Sequence, residues 1–175
     1  KEMTARRPLA TIPFAGRYRL IDFGLSSMVN SGIENVGILL PAKARSVLDH
    51  LRSGKDWDLA RRHGGLFYLP DIKADNDAYD GDLKNFYRHL DFLQHSTQQY
   101  VLLMVGQVIY NMGFEKVLRF HQNTGADITM VYSLQPEENV AGGTVIETSE
   151  NGMVTDIAKQ PVVYETTKAF HVIYI

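Results

Sequence analysis

Arg6, Arg7, Arg17 and Arg19 crowd the beginning of the chain. Guanidinium forks hold phosphate bidentately, so this cluster fits a phosphate or a phosphorylated effector. A solvated face is the plainer alternative, with Arg17 and Arg19 pairing to Asp22 or neighbouring acids. Asp75, Asp77, Asp80 and Asp82 alternate as in a calcium loop. The glycine and the bidentate glutamate that such a loop needs are missing, which leaves a solvated loop. The histidines are scattered, and His121 lies on an apolar stripe where a core role is expected. Without cysteine there is no thiolate nucleophile and no cysteine-held metal. The chain has no G-x-G-x-x-G, no P-loop and no H-E-x-x-H.

The 175 residues are 45% hydrophobic and 22% charged, with a formal net charge of −2. That composition fits a globular domain with a real core and excludes disorder or a disulfide scaffold. Residues 1–65 carry 11 basic and 6 acidic side chains, and residues 66–175 carry 7 and 14. The balance, without basic-aromatic interleaving, argues against nucleic acid. No apolar run approaches the ~18 residues of a membrane span, and no signal peptide opens the chain. The cytoplasm is the expected location. The sequence begins at Lys1 and stops within an apolar run, so residues 1–175 read as one partial domain clipped at both ends.

Ile21, Leu25, Met28 and Val29 predict a helix, stopped at Asn30-Ser31-Gly32. Residues 35–40 predict a strand buried on both faces. Val47, Leu48 and Leu51 mark a second helix. Residues 53–81 read as irregular, with one short apolar run at 66–69. Leu83, Phe86, Tyr87, Leu90 and Leu93 predict one helix with a core-facing aromatic stripe, capped by Asp80 or Asp82. Residues 100–105 read as a buried strand, and Phe114 to His121 as a helix ended by Gly125. Further strands are expected at 126–134, 144–148, 153–157 and 170–175, with a hairpin turn at Ser149-Glu150-Asn151-Gly152. Alternating strands and helices imply an α/β fold with an open, mostly parallel mixed sheet. Ligands in such sheets bind beyond the strands' carboxyl ends, which singles out the turn Gly106-Gln107-Val108.

Arg7 to Phe23, followed by Leu25-Ser26 and Asn30-Ser31-Gly32-Ile33, resembles the pattern K-P-A-V-P-F-G-G-K-Y-R-I-I-D-F-x-L-S-N of the ADP-glucose pyrophosphorylase (glucose-1-phosphate adenylyltransferase) family. Trp57-Asp58-Leu59 with Arg61-Arg62-His63-Gly64-Gly65 resembles W-D-L-x-R-R-x-G-G. Tyr79-Asp80-Gly81 resembles Y-x-G-T-A. Tyr100 to Leu103 with Gly106 and Ile109-Tyr110 resembles Y-V-L-I-L-S-G-D-H-I-Y. Asn151-Gly152 and Gln160-Pro161 resemble D-E-N-G and E-K-P. The match runs in order over nearly the whole chain.

The resemblance implies a Rossmann-like nucleotidyltransferase domain whose family makes ADP-glucose and pyrophosphate from ATP and glucose 1-phosphate with Mg²⁺, in glycogen biosynthesis. It also implies a C-terminal left-handed β-helix, absent from these 175 residues, and a glycine-rich phosphate loop, G-G-x-G-x-R-L, expected just before Lys1. The family's functional positions are altered here. Gln107 stands at the metal-binding Asp, and a neutral amide is a poor ligand for a hard cation. Gln160 stands at the sugar-phosphate Lys, and Thr144 begins the segment replacing the glucose-contacting G-I-M. Asp82 follows Tyr79 and Gly81 where nucleotide binds, and Arg7 replaces the family Lys. An intact scaffold with a degenerate site resembles the D-type subunit, which modulates a catalytic subunit within a hetero-oligomer, a tetramer by family. Two alternatives remain. One is an active transferase with unusual metal ligands such as Asp80 or Asp82. The other is a phosphometabolite sensor using Arg6, Arg7, Arg17 and Arg19.

Overall fold

The computed structural model describes residues 4, 7–70, 82–136, 144–159 and 166–174. The chain divides into two compact units, Lys1–Gln99 with Gly106–Lys116, and Tyr100–Val105 with Val117–Ile175.

In the first unit a 3₁₀ turn, Leu9–Thr11, leads into a small antiparallel hairpin of β1 (Pro13–Phe14) and β2 (Tyr18–Arg19). Its loop needs two consecutive positive φ angles, Ala15 at 48° and Gly16 at 86°. Helix α1 (Leu20–Asn30) follows directly. Asp22, at its third position, accepts the Arg19 backbone N–H at 2.9 Å and so satisfies one of the helix's open donors. Gly32, at φ 76°, ends the helix as its sequence predicts.

Strand β3 (Asn35–Leu39) leads to α2 (Arg45–Leu51) and a second 3₁₀ turn, Lys55–Trp57. The run within 53–81 that reads as irregular contains a full strand, β4 (Gly65–Leu69), in parallel register with β3 from Asn35↔Gly65 to Leu39↔Leu69. A four-residue apolar run carries too little periodicity to announce this. Ile21, Leu25, Val36, Leu40, Val47, Leu51 and Leu59 form the core.

The single helix expected across 83–93 is two: α3 (Asp82–Tyr87) and α4 (Leu90–Gln94). Between them His89 is buried and bonds the Pro70 carbonyl at 2.8 Å. The break turns Tyr87 outward, leaving it 70% exposed rather than in the core. Asp80 and the acidic run 71–81 lie outside the described residues.

In the second unit, strand β5 is Leu103–Met104, shorter than expected, with Tyr100 and Val101 exposed. Helix α5 (Phe114–Thr124) passes from the first unit into the second and is followed by Gly125 at φ 61°. His121 is buried, and its Nδ1 bonds Thr129 Oγ1 at 2.8 Å, the satisfied core histidine expected. Thr129 is thereby held before strand β6 (Met130–Pro136), which starts later than the sequence suggested. Strands β7 (Thr144–Thr148), β8 (Val154–Lys159) and β9 (Thr166–Tyr174) complete the sheet. β9 is central: β6 lies along one side, with β7 and β5 on the other and β8 outside β7. The α/β class stands, and parallel pairing among the described residues belongs to β3 and β4, the pairs around β9 being antiparallel.

Candidate functional site

The turn beyond β5, Gly106-Gln107-Val108, is the position of interest that the sequence singles out. Gly106 sits against η1, the 3₁₀ turn at Leu9–Thr11, and the start of α1: a Cβ added there would lie 3.5 Å from Ala10 Cβ and 3.6 Å from Ile21 Cγ1. Gln107 follows, exposed. The structure thus brings the Gln107 turn beside the segment that Arg7 opens. Arg7 is exposed, and the neighbouring Pro8 carbonyl accepts from Thr11 N (3.1 Å) and Thr11 Oγ1 (3.0 Å).

Two serines of α1 and its cap hold the segment after Gln107. Ser27 Oγ donates to the Tyr110 carbonyl at 3.3 Å, and Ser31 Oγ accepts Phe114 N–H at 2.9 Å. Sequence reasoning meets Ser31 only within a pattern and misses Ser27, because a contact across 83 positions leaves no local signature. The Tyr110 hydroxyl is buried without a partner among the described residues. Burial pushes its phenol above the ordinary value.

The arginines are divided in their engagements. Arg19 Nη1 donates to the Ser46 carbonyl at 2.9 Å, and Ser46 Oγ meets Thr11 Oγ1 at 2.9 Å. Arg17 lies over the Tyr18 ring, 5.5 Å from its centre. Neither arginine side chain reaches Asp22, contrary to the pairing weighed from sequence. Asp22 is occupied by the Arg19 backbone and by His50 Nε2 at 2.6 Å. Arg6, Tyr79, Gly81 and Gln160 lie outside the described residues, and Asp82 is the first residue of α3. In the second unit, Thr144 opens β7 opposite Lys159, the last residue of β8.

The W-D-L-x-R-R-x-G-G stretch works as scaffold. Trp57 Nε1 donates to Ser26 Oγ at 3.2 Å, and Leu59 is fully buried. Arg61 binds the Asp58 carbonyl and carboxylate, both at 2.6 Å, and Glu34 at 2.5 Å. These acceptors hold its guanidinium pKa above the ordinary value. Gly64 and Gly65 stand at φ 72° and 107°, and a Cβ on either would strike the Glu34 or Leu59 carbonyl.

Gln107 is the position that the resemblance gives to the family's divalent cation. Gln107 offers an uncharged oxygen, and no three His, Asp or Glu side chains converge among the described residues.

A profile of nucleotidyl transferases matches residues 1–175. The chain belongs to the nucleotidyl transferase family. It is 46% identical over 134 residues to the glycogen biosynthesis protein GlgD of Bacillus subtilis (strain 168), covering 75% of this chain and 39% of that protein. GlgD of Geobacillus stearothermophilus is 45% identical over 128 residues, covering 72% and 37%. The glucose-1-phosphate adenylyltransferase of Mycoplasma mobile is 32% identical over 177 residues, covering 100% and 46%. The chain spans about two-fifths of the length of these two GlgD relatives. Among the described residues no helix is long and apolar enough to cross a membrane.

Proposed function

We propose that the chain is the nucleotidyltransferase-like part of a regulatory subunit in glycogen biosynthesis, cytoplasmic and assembled with a catalytic glucose-1-phosphate adenylyltransferase subunit. Gln107 carries the reading. The transferred adenylyl group needs its charge neutralised, and an amide in the turn after β5 supplies neither charge nor a strong ligand for Mg²⁺. Gln160 in place of a lysine removes a point charge for the sugar phosphate. The GlgD relatives support the same assignment.

The test is pyrophosphate release from ATP, glucose 1-phosphate and Mg²⁺ by the purified full-length protein, alone and mixed with a catalytic relative. The expected result is no turnover alone and altered kinetics of the mixture. Turnover alone at about 1–10³ s⁻¹, the ordinary enzyme range, overturns it. Gln107→Asp combined with Gln160→Lys then reads the cause of the inactivity. A rise of about 10²-fold or more over the parent shows that these two positions, and not the scaffold, lost the chemistry.

A second reading, a subunit that binds a phosphorylated metabolite through Arg7, Arg17 and Arg19, is favoured by one observation. Among the described residues none of these side chains is bonded to a carboxylate. Arg17→Ala is expected to abolish the effector response of the mixed enzyme with folding intact. An unchanged response removes this reading.

A further inference from the structure

The turn between β7 and β8 does more than reverse the chain. Asn151 is exposed and followed by Gly152. Asn151 Oδ1 accepts from the Ser149 hydroxyl and from Met153 N–H at 3.3 Å. The hydroxyl has one proton, for which the Met153 carbonyl competes at 3.2 Å. Gly152 stands at φ 82°, and a Cβ there would meet nothing within 4 Å, so its backbone is approached from open space. Gly152 N–H donates to the Ser149 carbonyl at 3.0 Å.

We propose that Asn151-Gly152 is a self-modifying site that deamidates through a cyclic imide, with the turn activating its own carboxamide. The Gly152 nitrogen gives its proton to a solvent base and attacks Asn151 Cγ. As the N–Cγ bond forms, negative charge grows on Oδ1. Ser149 and Met153 already donate to that oxygen, the arrangement that stabilises an oxyanion. The Cγ–Nδ2 bond then breaks, and Nδ2 takes a proton from solvent and leaves as ammonia. Water opens the resulting succinimide at either carbonyl. Cleavage at Cγ gives aspartate, and cleavage at the main-chain carbonyl gives isoaspartate. Water enters, ammonia leaves and nothing is oxidised or reduced.

The Gly152–Ser149 hydrogen bond is the brake, because the nitrogen reacts only when that bond opens. Such opening is cheap at an exposed hairpin tip. The two products differ in consequence. Aspartate keeps an oxygen where Ser149 and Met153 donate. Isoaspartate inserts an extra carbon into the main chain beside the Thr148↔Val154 pair. That disturbs the register which keeps Val145 and Ile146 of β7 buried.

The test is incubation of the full-length protein in mildly alkaline buffer, followed by peptide mass mapping and enzymatic methylation of isoaspartate. An amide-to-acid mass change at position 151 and a methyl-accepting fraction are expected. Ser149→Ala should slow the reaction about two- to tenfold, one hydrogen bond's worth of barrier, and Ser149→Thr should restore it. Circular dichroism checks that each variant is folded. Asn151 remaining intact while an unstructured peptide of the same sequence deamidates overturns the proposal. So does a Ser149→Ala rate equal to or faster than the parent's, since Ser149 would then not activate the amide.

Discussion

Asp22 is expected to be the most costly polar side chain to remove from the first unit. Its carboxylate is largely buried, and its two oxygens are spent on different elements. Oδ2 accepts the Arg19 N–H at the start of α1, and Oδ1 meets His50 Nε2 in the last turn of α2. Asp22→Ala removes a helix-capping bond worth about 1 kcal/mol. It also leaves the half-buried His50 imidazole without its partner, at about 1.5–3 kcal/mol for a bond to a charged group. The sum is about 2.5–4 kcal/mol. For a domain of this size each kcal/mol moves the midpoint by about 2–4 °C, so a Tm drop of about 5–16 °C is expected. Urea unfolding should show the same loss in midpoint with an unchanged slope. Asp22→Asn keeps a carbonyl for Arg19 and should recover roughly the capping share. A double-mutant cycle with His50→Gln isolates the His50 share, and contact pairs of this kind couple by about 0.5–3 kcal/mol. A Tm drop below about 2 °C for Asp22→Ala would refute the reasoning, because it would mean both oxygens are replaced by water at no cost.

Three further outcomes follow from backbone and burial. Ala15 holds φ 48°, a conformation costing a non-glycine residue about 1–2 kcal/mol, so Ala15→Gly should be neutral to stabilising by about 1 kcal/mol in thermal unfolding. A destabilisation of similar size would show that the hairpin loop is not strained. Gly65→Ala places a Cβ 2.5 Å from the Leu59 carbonyl at φ 107°, and a loss of more than about 2 kcal/mol is expected in chemical denaturation. Tyr110→Phe removes a buried hydroxyl without a partner and should be neutral or stabilising at neutral pH. The phenol is raised above 10.0 in the fold, so its contribution is complete below that value and is lost as pH rises through the folded value. The variant should therefore lose stability less steeply in alkaline solution, and identical alkaline profiles would count against burial of that phenol.

How much of this was legible in the sequence depends on the range of each contact. The α1 stripe, its glycine stop and the 144–148 strand are set by neighbours a few residues apart and read correctly. The pairing of β4 with β3 was not legible, because it is fixed across some thirty positions and the run itself is short. The helix break at His89 escaped for a similar reason, since His89 bonds a carbonyl 19 residues away. Of the candidate site, the rule that places ligands beyond strand ends singles out the Gln107 turn as a position of interest. Its anchoring by Ser27 and Ser31 required the fold.

The family's longest motifs and its chemistry are physically separable in this chain. Trp57, Asp58, Arg61, Gly64 and Gly65 spend their contacts on Ser26, Glu34 and the Leu59 carbonyl, all within the first unit. None of these contacts involves the Gln107 turn. Selection for a folded domain alone is enough to keep that stretch, whatever happens at position 107. The retained W-D-L-x-R-R-x-G-G pattern is therefore evidence for the fold and carries no information about turnover. The position we propose as discriminating is Gln107, exposed in the turn after β5, where side-chain chemistry is free to change without cost to the core. Substitution of the exposed Gln107 should leave the unfolding midpoint within about 1–2 °C, as expected for an exposed position away from caps and core, and a larger shift would show that the turn carries part of the fold's stability.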